Sequence, residues 1–308
     1  MALAFISHPD CARHRVAAHH PETAERLAAI DDRLIASGLD SVVQHFDAPL
    51  ASREQLARVH DDDYIDAIET GAPAPNEMVC LDEGDTVMTE HSLTAARRAS
   101  GAAVLGVDLV MESRAHAAFC CVRPPGHHAE TGRAMGFCIF NNAAVGAAHA
   151  LEAHGLDRVA IVDFDVHHGN GTEQIFRHEP RILFCSTFQH PFYPFTGHEA
   201  ETANLVDAPL PAGTGSDAFR SAIREHWLPA LDRFRPQLLM ISAGFDGHAE
   251  EEMAHFMLLD EDYAWVTRQL SDIARRHASG RIVSCLEGGY ALSALGRSAV
   301  AHLRVLID

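Results

Sequence analysis

The chain has 308 residues, 47% hydrophobic and 22% charged, which suits a globular protein with a large core. Lys and Arg number 24 against 43 Asp and Glu, a net charge of −19. That balance argues against nucleic acid, whose phosphates need a basic footprint, and favours cationic ligands or products. No apolar run approaches the ~20 residues of a membrane span, and the start MALAFISHPD lacks the basic region of a secretory signal.

Helical and strand-like segments alternate along the chain. PETAERLAAIDDRLIAS places Leu27, Ile30 and Leu34 on one helical face, with Pro21 and Glu22 at its start. SREQLARVHDDDYIDAIE reads as the next helix, opened by Ser52 and Gln55 at capping-box spacing. HSLTAARRASGAAVLGVDLVME, NNAAVGAAHALEAHG, SDAFRSAIREHWLPALDRF and DEDYAWVTRQLSDIARRHAS read as further helices. Between them lie HAAFCCV, RVAIVDF, RILFCSTF, QLLMISAGF and RIVSCLEGG, each of strand length and apolar on both faces. This is the pattern of parallel strands covered by helices on both sides. With no linker or internal repeat, residues 1–308 read as a single three-layer α/β domain. The stretch from Gln189 to Gly215 reads as a long irregular loop, and loops of that length are usually functional. The seven Cys show no C-x-x-C spacing, and several lie in the apolar runs. Reduced buried thiols fit a cytoplasmic location.

Polar residues gather after four of the apolar runs: RPPGHHAETGRAMGFC, DFDVHHGNGT, DGHAEE and EGGY. Ligand sites in open parallel sheets form at the carboxyl ends of strands. Asp165 and His167, two apart on an extended chain, face the same side, and Asp246 arrives from another strand end. Two carboxylates and an imidazole without thiolate suit Zn²⁺ or Fe²⁺ with a position left open for water. In PPGHH, His127 and His128 follow a rigid turn and suit proton transfer near pH 7. Tyr290, beyond a Gly pair, has a hydroxyl suited to polarise a carbonyl.

Taken in order and spacing, RPPGHHA, GFCIFNNAA, DFDVHHGNGT, SAGFDGH and LEGGY resemble the zinc-dependent histone deacetylase family. That family includes bacterial deacetylase-like amidohydrolases and acetylpolyamine amidohydrolases. Weaker likeness in HPETAERLAAI and LDEGDTVMTEHSLTAARRASGA extends the resemblance over nearly the whole chain. It implies the arginase–deacetylase fold, with a central parallel sheet of about eight strands flanked by helices. It implies metal ligation by Asp165, His167 and Asp246, with His127 and His128 as tandem histidines, His128 the base, and Tyr290 polarising the carbonyl. Gly136 and Phe137 would line an acyl-lysine channel. Asp163 and Ser186 would hold K⁺ with backbone carbonyls, and Asp163 would also orient His127. Asn170, where class I members carry Asp, resembles class II and the bacterial amidohydrolases. As a neutral partner it would raise the His128 pKa less than a carboxylate. Tyr193 is a candidate for the second aromatic wall and Asp85 for a contact to substrate backbone at the rim.

The expected reaction is metal-dependent hydrolysis of an acetylated primary amine, such as acetyl-lysine in a peptide, releasing acetate. An acetylpolyamine amidohydrolase and a non-catalytic acyl-lysine binding module are the alternatives. A binuclear arginase-like site would need a second Asp/His cluster that AGFDGHAEE lacks. No membrane or nucleic-acid partner is expected, and a homo-oligomer is compatible with this reading.

Overall fold

The computed structural model describes residues 2–16, 19–197 and 202–308. Among the described residues, ten strands lie in chain order at Ala4–Ser7 (β1), Gln44–Asp47 (β2), Met78–Cys80 (β3), Val87–Thr89 (β4), Ala117–Cys120 (β5), Val159–Asp163 (β6), Ile182–Gln189 (β7), Leu205–Leu210 (β8), Leu238–Ala243 (β9) and Ile282–Leu286 (β10). Eight of them form one sheet in the order β2-β1-β5-β10-β9-β6-β7-β8. Every pairing in it is parallel. The five apolar runs are β5, β6, β7, β9 and β10. Their residues are buried throughout, as two-sided helical cover requires.

Helices occupy Pro9–Arg13 (α1), Glu25–Ala36 (α2), Arg53–Leu56 (α3), Asp62–Thr70 (α4), Ser92–Met111 (α5), Asn142–Ala153 (α6), Asn170–Phe176 (α7), Ser216–Ala222 (α8), Leu228–Phe234 (α9), Asp260–His277 (α10) and Leu292–Ile307 (α11). The small residues of α5 and α6 let these two helices pack closely: a Cβ on Gly146 would lie 3.1 Å from Ala103 Cβ.

Three expectations are corrected. SREQLARVHDDDYIDAIE is two helices, α3 and α4. Its Ser52–Gln55 capping box is present, but the first helix ends at Leu56, and Asp61 starts the second with extended backbone. The helix expected from Pro21 begins at Glu25, and Glu22 is drawn instead into a buried ion network with Arg26 and Arg123. The stretch Gln189–Gly215 is not irregular throughout, because it contains β8, the edge strand beside β7. β8 carries Pro209 and half-exposed residues, as an edge tolerates. Residues 198–201 of this stretch lie outside the described residues.

Candidate active site

The four polar segments follow β5, β10, β9 and β6, which are consecutive neighbours in the sheet. Parallel strands sit about 4.8 Å apart, so their carboxyl ends deliver side chains to one small area. A cavity of about 240 Å³ opens there, lined by Asp85, His127, His128, Gly136, Phe137, His167, Tyr193 and Tyr290, all expected, and by Pro125, Phe192, Met253 and Gly288.

At its floor, Asp165, His167 and Asp246 bring one donor atom each within 4.8 Å of one another. His167 Nδ1 lies 3.0 Å from Asp165 Oδ1 and 3.2 Å from Asp246 Oδ2. Asp165 and His167 are not on an extended strand, since β6 ends at Asp163. They converge in the loop beyond it, where Asp165 Oδ1 accepts the His167 N–H at 2.9 Å. Backbone N–H groups of Gly288 and Val166 donate to Asp165 and Asp246 at 2.8 and 2.9 Å. Gly288 must be Gly: a Cβ there would lie 2.0 Å from Asp246 Oδ2.

The donor set fits a divalent cation. Asp246 Oδ2 is buried without a well-directed hydrogen bond. Burial, and then the neighbouring Asp165, pushes the Asp246 carboxyl up to about 6. Two buried carboxylates that repel one another and keep a free oxygen are relieved by a cation between them. Behind them, Asp163 and Ser186 are register partners on β6 and β7, and Ser186 Oγ is buried without a partner. An oxygen donor left free beside a carboxylate fits a monovalent ion.

The tandem histidines differ. His127 Nδ1 meets Asp163 Oδ2 at 2.9 Å. Burial opposes its charge, but Asp163 and Asp165 outweigh burial and raise its pKa well above the usual imidazole value. His128 Nδ1 meets Asn170 Oδ1 at 2.7 Å. Burial, with the nearby His127 and His167, holds it well below that value. The neutral partner inferred from the sequence thus goes with a neutral imidazole. Gly136 packs against this ring, where a Cβ would come within 2.3 Å of His128 Cδ2.

The walls are aromatic. Phe137 stands edge-on to Tyr290 at 5.9 Å, Tyr193 edge-on to His128 at 5.3 Å, and Phe192 stacks on His167 at 5.3 Å. Tyr290 is steadied by Arg26, whose guanidinium lies 4.9 Å from the ring centroid, and by Glu251, which accepts its N–H at 2.8 Å. Asp85 is exposed at the mouth, and its carbonyl faces His20 Nε2 at 3.2 Å.

The sequence reading missed Glu287, Arg26, Phe192, Met253 and Glu130. Buried Glu287 accepts from the backbone of Gly126 and His127 at 2.6 and 3.1 Å and so fixes the PPGHH turn. Its place in LEGGY was the available signal. Arg26 donates to the carbonyls of Gly289 and Glu287, contacts between residues more than 250 positions apart that no local pattern reveals.

Two other His–carboxylate groups occur among the described residues: Asp108, His149 and His154, and His168, Glu173 and Asp207. In the first, Arg58 Nη1 donates to His149 Nδ1 at 2.8 Å. The ring proton therefore sits on Nε2, facing Asp108 at 2.8 Å, where an ion would need a lone pair.

Residues 20–306 match the family model described as Histone deacetylase domain. The chain is 37% identical over 293 residues to the Histone deacetylase-like amidohydrolase of Pseudomonas aeruginosa, covering 93% of this chain and 75% of that one. It is 33% identical over 326 residues to the Polyamine deacetylase HDAC10 of Homo sapiens, covering all of this chain but 48% of that protein. The crystal structure of the HDA15 HD domain superposes with a TM-score of 0.93 at 33% identity, over 99% of this chain and 88% of that one. The sheet order, the four strand ends and the length of the match agree: this chain belongs to the histone deacetylase family, on the arginase–deacetylase fold.

Proposed function

We propose that this protein hydrolyses acetylated primary amines, with acetyl-lysine in peptides as its substrate class. The observation that carries this reading is the convergence of Asp165, His167 and Asp246 with His127, His128 and Tyr290 at the base of one apolar-walled cavity. Asp165, His167 and Asp246 would hold a divalent ion, Zn²⁺ or Fe²⁺. When bound, such an ion supplies Lewis acidity to the acyl carbonyl and brings the pKa of water towards ~7.

The chain's own groups do the rest. His128, neutral through burial, takes the proton of the attacking water at Nε2, because its Nδ1 is turned to Asn170. The Tyr290 hydroxyl donates to the oxyanion that develops at the acyl carbon. A tandem histidine then protonates the leaving amine. Phe137, Phe192, Tyr193 and Met253 exclude water around the methylenes of the substrate, and Asp85 at the mouth receives a backbone N–H of the peptide. Asp163 and Ser186 hold a monovalent cation, K⁺, that steadies the loop behind the site. Loss of any one of the three ligands, either histidine or the Tyr would mark a silent binding module, and all are present.

The lining bears on the alternative substrate. A lysine side chain offers uncharged methylenes to these walls. An acetylpolyamine places a second ammonium along the channel, where Phe137 and Met253 give it no carboxylate, and among the lining residues the only acid is Asp85 at the mouth. Comparing kcat/KM for acetylated lysine peptides and acetylpolyamines tests this. Peptides are expected to lead, and a clear lead for acetylpolyamines would replace this reading with the second one.

A further inference from the structure

The contacts of His128 extend past its first partner. Asn170 Oδ1 lies 2.7 Å from His128 Nδ1, and Asn170 Nδ2 lies 2.8 Å from Glu130 Oε1. The other neighbours of that Nδ2 are the His128 carbonyl at 3.4 Å and Met135 Sδ at 3.3 Å. All three neighbours accept hydrogen bonds and none donates, which fixes the amide with its NH₂ towards Glu130 and its oxygen towards the imidazole. A carbonyl oxygen only accepts, so the ring proton of His128 resides on Nδ1 and Nε2 keeps its lone pair. Glu130 is itself held in place by Arg133 Nη2 at 3.0 Å, across the short bridge that pairs these two residues.

We propose that Glu130 is a positioning residue: by orienting the Asn170 amide, it selects the tautomer in which His128 can act as a base. The inference rests on the reading of His128 as that base. An Asn side chain has a donor end and an acceptor end, so a donor at position 130 would reverse it. The amide would then present NH₂ to His128 Nδ1, the ring proton would move to Nε2, and the lone pair facing the cavity would be lost.

The reversal can be tested by compensation. E130K introduces a donor and is expected to lower kcat by ~10² or more, the scale of a lost general base, with little change in KM. N170D alone sets a second carboxylate against Glu130 across the same 2.8 Å contact and is also expected to be impaired. E130K/N170D pairs Lys with Asp, restores an acceptor opposite His128, and should recover most of kcat. Two defects that cancel are not produced by a side chain that only props up the loop. E130M removes the acceptor without adding a donor. It should fall between wild type and E130K, and it serves if E130K does not fold. The ¹⁵N shifts of His128 give a readout that needs no turnover: Nδ1–H in wild type and Nε2–H in E130K. A wild type that hydrolyses no acetylated substrate would defeat the proposed function, while these shifts would still decide the tautomer. Wild-type kcat and an Nδ1–H signal in E130K, or a double variant no better than the worse single one, would overturn the inference.

Discussion

His167 and His168 are neighbours in the chain, and each imidazole meets two carboxylates. The ring of His167 lies 3.0 Å from Asp165 and 3.2 Å from Asp246 and lines the cavity. His168 Nε2 lies 2.9 Å from Glu173 and 3.5 Å from Asp207, and its Nδ1 lies 2.8 Å from Thr196 Oγ1. Its ring packs at 4.5 Å from Phe188 and is 1% exposed. Burial penalises an imidazolium there, but Asp207 and Glu173 outweigh that and raise its pKa. Arg177 also pairs with Glu173, so two cations face two carboxylates in this second cluster, and none of its residues lines the cavity. One imidazole and two carboxylates stand at the floor of an open cavity in one place and in an enclosed ion pair in the other. Access makes the difference: His167 lines the cavity, while His168 is enclosed behind it.

The comparison breaks most sharply at the ligands. Asp246→Ala should abolish metal binding and activity together, since two remaining ligands rarely retain a catalytic ion. Elemental analysis checks this, and near-stoichiometric metal with full activity would remove Asp246 from the site. Tyr290→Phe comes next. It keeps the ring and deletes the hydroxyl, so kcat should fall by ~10²–10³, while binding of an acetylated ligand weakens far less. Wild-type kcat would reduce Tyr290 to packing.

The closed cluster should respond differently. Asp207→Asn leaves metal content and kcat near wild type and acts on the melting temperature, at about 2–4 °C per kcal/mol for a domain of this size. A loss of activity as deep as that of Asp246→Ala would show that the second cluster shares in the chemistry.

The smallest effect concerns histidines kept neutral in the core. Burial lowers His14 and His60 to about 4 and His302 to about 3. An unfolded His takes up a proton near ~6.5. Between that pH and about 4 these three rings therefore bind more protons in the unfolded chain, and their contribution to stability falls as pH falls. Histidine NMR signals of the folded protein read this directly, with the rings of His14, His60 and His302 expected to stay neutral at pH 5. Protonation of these rings near pH ~6.5 would contradict neutral burial.

Much of this organisation is legible in the sequence, for identifiable reasons. β5, β6, β7, β9 and β10 are covered on both faces, so their apolar runs stand out, and the motif after a central strand can only reach the sheet's carboxyl edge. The edge strands are harder to see. β2 is QHFD, largely exposed, and β8 contains Asp207 and Pro209. β1 is apolar but four residues long and lies at the very start of the chain. Within the cavity, the residues proposed as ligands, the tandem histidines and Tyr290 lie in short motifs and could be singled out. Glu130 could not, although it sits two residues from His128. Its role depends on Asn170, 40 positions away, turning one end of its amide towards it. Hydrogen-bond direction is a property of the folded neighbourhood and leaves no periodic trace in the chain.

The central claim is that the cavity hydrolyses acetylated amines with an ion held by Asp165, His167 and Asp246. The most direct measurement is acetate release from an acetyl-lysine peptide by the purified protein, before chelation, after stripping, and after adding back Zn²⁺ or Fe²⁺. The account predicts turnover that disappears with the metal and returns with it, and no return in Asp246→Ala. Turnover unaffected by complete removal of metal would contradict it.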